Sequence, residues 1–518
     1  MGNGVLRPWA VLFVFVVIDL MTIRAQPLMV WEQQRLLHFQ SPAGLPSPPK
    51  MVGFQVTSPD VPLVIQSPDG FQLSANGFDF SRFAVYTTDQ LRKGRQNLFV
   101  RFAPERPIDA VQDTLRLTGV QGGAGQAFHL HGSTLDPAQT LDLVNWNIQW
   151  FGSKTTGFGP GDDDLAQSNI RIIMDSLDAD IYAFTEVVDT LRFSKLVASM
   201  PGYGYVLAPY CSGAAGNNTA AYAAGQKQAF VFRKSLFSYI KTRGLLRGSS
   251  TAHINWANGR FPFLMEVGLN AAGGAPWHFL VLHGKSGVTL ADHEKRKGAV
   301  LELKDTLDLH YREKALVLMG DFNDDLDAAI AGGMQSNASS YFPLVADSTA
   351  AHHYHAVSTL LSKTGSRTMA AYADPVDHVV ISDELRQVYL SGSVRVVYEV
   401  GKWVKNYTTS TSDHYPVISR FKLQSGTITS VSNPVTAPAV KVMKAGHLLI
   451  LKAPMQAGSV TIAAYNLQGK LLYTNDKIPV RAGLLHHQID VSRWIPGTYL
   501  LRVTTMGKTI ALRIFIHP

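Results

Sequence analysis

From residue 141 to residue 422 the sequence alternates short apolar, strand-like runs with amphipathic helical segments, and this alternation narrows the fold more than any other property. The strand-like runs fall at 141–147, 181–185, 228–233, 263–269 and 279–283. Between them Ile170, Ile173, Met174 and Leu177 recur at helical spacing, as do Val300, Leu303 and Leu307. Strand and helix in turn over nearly three hundred residues predict an α/β domain.

On either side the pattern is strand alone. Runs at 54–56, 61–65, 71–73, 83–86, 97–102 and 113–117 alternate apolar and polar residues between Gly, Pro and Asp turns, which predicts a small antiparallel sandwich over 50–135. A Ser-, Thr- and Pro-rich linker is expected at 423–439, followed by a second small all-β block at 440–518. There Asn466-Leu467-Gln468-Gly469-Lys470 reads as a hairpin turn, and Pro496-Gly497-Thr498-Tyr499 enters a terminal strand. At the other end Arg7 precedes an apolar run at 9–18 closed by Asp19. Ten residues are too few to span a bilayer as a helix but suit a signal-peptide core, so 1–25 is expected to be a signal peptide cleaved after Ala25. No later stretch is long and apolar enough for a transmembrane helix.

Charge and cysteine content exclude two classes. The formal net charge is +8, yet residues 141–422 carry 26 basic against 27 acidic groups, while 423–518 carries 10 against 2. The long middle block is therefore not a basic body that binds nucleic acid by charge alone. Cys211 is the only cysteine, which excludes a disulfide framework or a zinc finger. The sequons at Asn217, Asn337 and Asn406 are too common by chance to carry weight.

The polar residues of the middle block gather at the ends of its apolar runs: Asn145-Trp146-Asn147, Glu186, Gly320-Asp321-Phe322-Asn323 and Ser412-Asp413-His414. A strand end delivers its side chain to the rim of a sheet, and converging carboxylates repel one another unless a cation joins them. Hard oxygen donors without a cysteine cluster favour Mg²⁺ or Mn²⁺ over Zn²⁺. His283 ends another run and His414 follows Asp413; one imidazole can act as base and the other as acid or oxyanion donor. Asp377 is placed to orient one of them, whereas His378 is expected to pack within its strand. The run His352-His353-Tyr354-His355 invites a metal reading but has no supporting carboxylate spacing, and it is left without a role.

These residues, in this order, resemble the endonuclease/exonuclease/phosphatase superfamily, the deoxyribonuclease-I-like phosphodiesterases. The resemblance is carried by Asn145-Trp146-Asn147, Thr185-Glu186-Val187, Leu282-His283-Gly284-Lys285-Ser286, Gly320-Asp321-Phe322-Asn323, Val376-Asp377-His378 and Ser412-Asp413-His414-Tyr415-Pro416-Val417. It implies a four-layer α/β sandwich over 141–422, with two central mixed sheets flanked by helices, between the two small all-β sandwich domains. It also implies Glu186 as principal ligand of Mg²⁺ (or Mn²⁺), with Asn147 and Asp413 in or near the metal shell. Asp321 and Asn323 would orient the attacking water and the scissile phosphate, and His414, held by Asp377, would work with His283. Arg260 would contact phosphate, and Lys285 is a further candidate for substrate binding. Two departures stand out: Gln226 occupies the place of the carboxylate that partners the first histidine, and Val188 replaces an arginine. The block at 50–135 resembles Ig-like repeats of exported Bacteroidetes proteins, through 67–74 and 98–104. The block at 440–518 resembles the type IX secretion sorting domain, through Tyr465 to Gly469 and Pro496 to Tyr499. The expectation is an exported, secreted or surface-held phosphodiesterase acting on DNA or RNA and handled by the type IX machinery. A phosphatase, a sphingomyelinase-like enzyme and a non-catalytic surface binding protein are the alternatives.

Overall fold

The computed structural model describes residues 27–423 and 441–516, apart from 33, 121–126, 216–219, 271–274, 335, 347–352, 446, 455–458, 467–469, 481–483 and 506–507. The expected signal peptide, all but the first residue of the expected linker, and Asn217 and His352 lie outside the described residues. Two compact units are present: residues up to 107 with 112–133, and 108–111 with 134 onward.

The first unit is built from strands. An antiparallel sheet runs in the order Leu28–Trp31, Lys50–Thr57, Gln96–Phe102 and Phe71–Ser74. Its aromatic core includes Trp31, Phe54, Phe71, Phe102 and Phe128. Two strands precede the expected start at residue 50: Leu28–Trp31 joins that sheet, and Leu36–Gln40 pairs in parallel with His129–Ser133. They are four and five residues long and are followed by a Pro- and Ser-containing stretch, too short to show an alternation of their own.

In the middle block the strands of the two large sheets are β1 (Thr140–Phe151), β2 (Ile181–Val187), β3 (Tyr203–Leu207), β4 (Lys227–Arg233), β5 (Phe237–Gly244), β6 (Phe263–Leu269), β7 (Trp277–His283), β8 (Ala315–Asp321), β9 (Tyr354–His355), β10 (Asp377–Ser382), β11 (Arg395–Val396) and β12 (Val417–Lys422). The principal helices are α1 (Asp163–Leu177), α2 (Thr190–Ala198) and α3 (Leu290–His310). One six-stranded sheet has the order β3-β4-β2-β1-β12-β11 and the other β5-β6-β7-β8-β10-β9. Each holds one parallel pair, β1 with β2 and β7 with β8, bridged by α1 and α3, and antiparallel strands outside it. This is the four-layer sandwich of two mixed sheets and flanking helices.

Strand alternation explains how the layers meet. On β1, Val144, Trp146 and Ile148 share a core with Ile170, Ile173 and Met174 of α1 and Phe193, Leu196 and Val197 of α2. Asn145 faces the other way, and its Nδ2 donates to the carbonyls of Gly320 (3.0 Å) and His378 (3.4 Å) on the opposite sheet. Helix α1 starts where Asp162 caps the amides of Asp164 and Leu165, and α3 starts in a Thr289–Asp292 capping box.

The C-terminal strands form two further sheets: Lys441–Ala445, Leu448–Pro454 and Leu484–Asp490, and Leu471–Pro479, Ser459–Asn466, Gly497–Thr505 and Lys508–Ile516. Leu449, Leu451, Val460, Ile462, Leu501 and Val503 close one core between them. The Asn466 amide donates to the Lys470 carbonyl at 3.0 Å, while the three residues of the expected turn between them, 467–469, lie outside the described residues. Among the described residues no helix is long and apolar enough to cross a membrane.

Candidate active site

Register brings the polar strand ends together. His283 at the end of β7 is paired with Asp321 at the end of β8, and Asp321 with Asp377, where antiparallel β10 begins. On the facing sheet Asn147 is paired with Thr185, one residue before Glu186, and His414 lies three residues ahead of β12. All therefore reach the same rim of the sandwich. Four residues there hold left-handed backbone, Gln149 at φ 41°, Trp150 at φ 49°, Glu186 at φ 66° and Asn323 at φ 53°, a conformation that strains a side chain larger than glycine and is stored mainly at sites of function. Gly320, at φ 144°, lies so close to β7 that a Cβ would meet the Leu282 carbonyl oxygen at 2.0 Å. The peptide ahead of Asp321 is thereby pressed against the strand that carries His283.

Two clusters share Asp321. In the first, His283 Nε2 lies 3.6 Å from Glu186 Oε1 and 3.6 Å from Asp321 Oδ2. In the second, His414 Nδ1 donates to Asp377 Oδ2 at 2.7 Å, while its Nε2 lies 3.9 Å from Asp321 Oδ2. Asp321 itself is fixed on both oxygens: Asn147 Nδ2 donates to Oδ2 and the Asn323 amide to Oδ1, each at 2.9 Å. Glu186 Oε2 accepts the Trp150 amide at 2.8 Å.

The two imidazoles sit in opposite fields. Burial, then Arg260 and His414, hold His283 well below the ordinary histidine range. Arg260 Nη1 approaches His283 Nε2 at 2.9 Å, and a guanidinium only donates, so Nε2 accepts and the ring is neutral. Burial opposes a charge on His414, but Asp377, Asp321 and Asp413 outweigh it and raise its pKa. Burial, with Asp321 nearby, pushes Glu186 up to about 7 although His414 pulls the other way.

The donor set fits a divalent cation. Glu186, Asp321 and His283 bring three ligand atoms within 4.8 Å of one another, and two converging carboxylates, one raised by burial, call for positive charge. Glu186, Asp321 and the adjacent Asn147 are the residues that would hold it.

Not every expected residue joins these clusters. Arg260 is buried and buttresses the rim, donating to Gln226 Oε1 (2.7 Å) and the Gly284 carbonyl (2.6 Å) besides meeting His283. Gln226 thus reaches His283 through the guanidinium. Lys285 pairs with Asp292 at 2.9 Å at the start of α3. Asp413 lies beside His414, but its carboxylate belongs to neither cluster. Asn323 Nδ2 donates to the Gly284 carbonyl at 3.3 Å. His378 packs as expected, between Ser358 Oγ (2.9 Å) and the Pro375 carbonyl (3.0 Å). Sequence reasoning missed Gln149, whose Oε1 accepts the Asp413 amide (3.1 Å), and Ser412, whose Oγ donates to the Asn147 carbonyl (2.7 Å) and accepts the His414 amide (3.1 Å). It also missed Thr368, whose Oγ1 accepts the Asp377 amide at 3.0 Å. Ser412 stood inside a motif already singled out; Gln149 and Thr368 carried no signal.

A fold of two mixed sheets with carboxylates and histidines on one rim defines a class of hydrolases. Residues 144–414 match the Endonuclease/Exonuclease/phosphatase family, and the chain belongs to that family. Residues 446–517 match the secretion system C-terminal sorting domain, which indicates export to a secreted or surface destination by type IX secretion. Members of the family are hydrolases of the nuclease and phosphatase kind and generally depend on divalent metal. Solved structures that it resembles include the catalytic domain of human Nocturnin, at 14% identity and TM-score 0.36, covering 56% of this chain and 96% of that one. A Bacteroides vulgatus protein of the family matches at 16% identity and TM-score 0.38, covering 55% and 99%. D. rerio TDP2, complexed with a single-strand DNA product, matches at 10% identity and TM-score 0.38, covering 55% and 99%. No curated protein matches.

Proposed function

We propose that this chain is an exported, divalent-metal-dependent phosphodiesterase that cleaves nucleic acid. The observation that carries the reading is the pair of clusters sharing Asp321, one formed with Glu186 and His283 and one with the buried His414–Asp377 dyad. A phosphodiester gains negative charge in the transition state. The cation, when bound, supplies Lewis-acid stabilisation of that charge.

The remaining chemistry falls to the side chains. Asp321, held on both oxygens, accepts a proton from the attacking water. His414 is kept protonated by the carboxylates around it and presents Nε2–H to a phosphoryl oxygen or the leaving group. Asp377 fixes its tautomer. His283 is neutral and is oriented by Arg260, which takes the lone pair of Nε2 and leaves Nδ1–H as the ring's donor; Arg260 offers positive charge from behind it. The water oxygen forms the new P–O bond as the bond to the leaving oxygen breaks, and that oxygen takes the proton His414 gives up.

Nucleic acid is favoured over a lipid or a phosphomonoester by an aromatic pair at the rim. Trp150, whose amide binds Glu186, lies 4.5 Å from the half-exposed ring of Phe158, and such a face stacks on a base. Trp403 packs partly buried against the core of the first sheet and does not stand out toward a lipid surface. The test is to incubate the purified protein with plasmid DNA, RNA, sphingomyelin and p-nitrophenyl phosphate, each with Mg²⁺, Mn²⁺ or EDTA. Cleavage of a nucleic acid that EDTA abolishes is expected; turnover of sphingomyelin or the monoester alone would overturn the substrate class.

A further inference from the structure

The histidine run left without a role finds its carboxylate in the fold. Strand β9 pairs antiparallel with the far end of β10, Tyr354 opposite Ser382 and His355 opposite Ile381. That pairing carries His353 and His355 to Asp383, the first residue beyond β10. The three offer ligand atoms within 4.8 Å of one another. Asp377, at the other end of the strand, is six residues away, about 20 Å at the rise of a β-strand, so this cluster is separate from the rim.

The geometry is that of a metal shell more than of a simple ion pair. His355 Nε2 lies 3.2 Å and His353 Nε2 3.9 Å from the same oxygen, Asp383 Oδ1. The rings are 4.1 Å apart at 64° to one another. Ligands about 2.0–2.1 Å from a tetrahedral ion stand about 3.3 Å apart, which the two distances bracket. Both imidazoles thus present the same nitrogen to one carboxylate oxygen. Asp383 is 36% exposed and His355 19%, leaving the cluster open to solvent for arrival of an ion and for a water as fourth ligand. Arg386 Nη1, 3.8 Å from Asp383 Oδ1, is 59% exposed and can swing aside.

We propose that His353, His355 and Asp383 form a second metal site that takes Zn²⁺ or a similar borderline ion, at the end of β10 opposite the candidate active site. Two imidazoles and one carboxylate suit such an ion, whereas the oxygen-rich rim suits Mg²⁺ or Mn²⁺. The ion would tie the edge strand β9 to the strand that carries Asp377.

The test is zinc uptake by the untagged full-length protein, measured by calorimetric titration with Zn²⁺ alone and by metal content after dialysis. His353→Ala, His355→Ala and Asp383→Ala are each expected to lose one bound Zn²⁺ per chain while leaving Mg²⁺-dependent hydrolysis unchanged. Co²⁺ added to the wild type should give the intense visible absorption of a four-coordinate site, and Asp383→Ala, a partly exposed position that spares the fold, should lose it. The same zinc count and affinity in Asp383→Ala and in the His353→Ala, His355→Ala double variant would overturn the proposal. So would loss confined to a single one of the three positions. Zinc counts do not depend on the substrate assigned to the rim, so failure here is distinct from failure of the proposed activity.

Discussion

His283 and His414 have the same side chain but opposite surroundings, Arg260 on one and Asp377 on the other. His283→Ala and His414→Ala should each lower kcat by roughly 10²–10⁴-fold. Combining them should cost far less than the product of the single losses, because both act on one step. Asp377→Asn should reproduce part of the His414 loss by misplacing the tautomer. Near-normal turnover in His283→Ala beside an inactive His414→Ala would reduce the machinery to a single dyad. At Glu186 the backbone adds a second readout. Glu186→Ala and Glu186→Gly should both abolish metal-dependent activity, but at φ 66° glycine relieves the strain that alanine retains. The glycine variant should therefore be more stable than the alanine variant by about 1 kcal/mol in denaturant titration. Equal stabilities would show that the left-handed turn is not strained.

At the level of elements, what could be read from sequence was the strand end, and what could not was the register. Glu186, Asp321 and His283 closed apolar runs and were visible as rim residues, while the pairing that sets His353 and His355 against Asp383 joins segments 28 residues apart and left no local trace. Lys285 stood in a family motif, but its ammonium is taken by Asp292 of the helix that follows, a partner that periodicity does not reveal. The early strands of the first unit were missed because four or five residues do not establish alternation. Strand β10 also yields a pH prediction. His378, buried within it, is pushed down to about 4 by desolvation, against 6.5 when unfolded. Between those values the unfolded chain binds the extra proton, so stability falls as pH drops from 6.5 to 4, by up to roughly 3 kcal/mol for this residue. His283 contributes with the same sign. Glu186, with its raised pKa, acts in the opposite sense over this window, so the readout is the difference between two proteins: in metal-free urea titrations His378→Asn should gain stability relative to the wild type as pH falls from 6.5 to 4, and a difference that does not change with pH would overturn the assignment. Gly320→Ala should destabilise by several kcal/mol and disable the rim, since its Cβ meets backbone rather than a movable side chain. A soluble, active Gly320→Ala protein would mean that β7 and β8 can separate without cost.

Across the whole molecule, chemistry and address occupy different stretches of chain. Every residue of the two rim clusters precedes β12, and the sorting domain matches from 446 onward. A protein ending at Ser425 should hydrolyse substrate normally in vitro yet remain periplasmic in a host with type IX secretion. Its appearance in the medium at wild-type levels would remove the sorting role from the C-terminal strands. The order of strands in the first sheet has a consequence for synthesis. β1, among the earliest strands of the middle block to leave the ribosome, pairs with β12, the last, and His414 lies just ahead of β12. The nascent chain therefore lacks a complete dyad until almost all of residues 140–422 have emerged, and a stalled or abandoned translation product carries no assembled rim into the cell that made it.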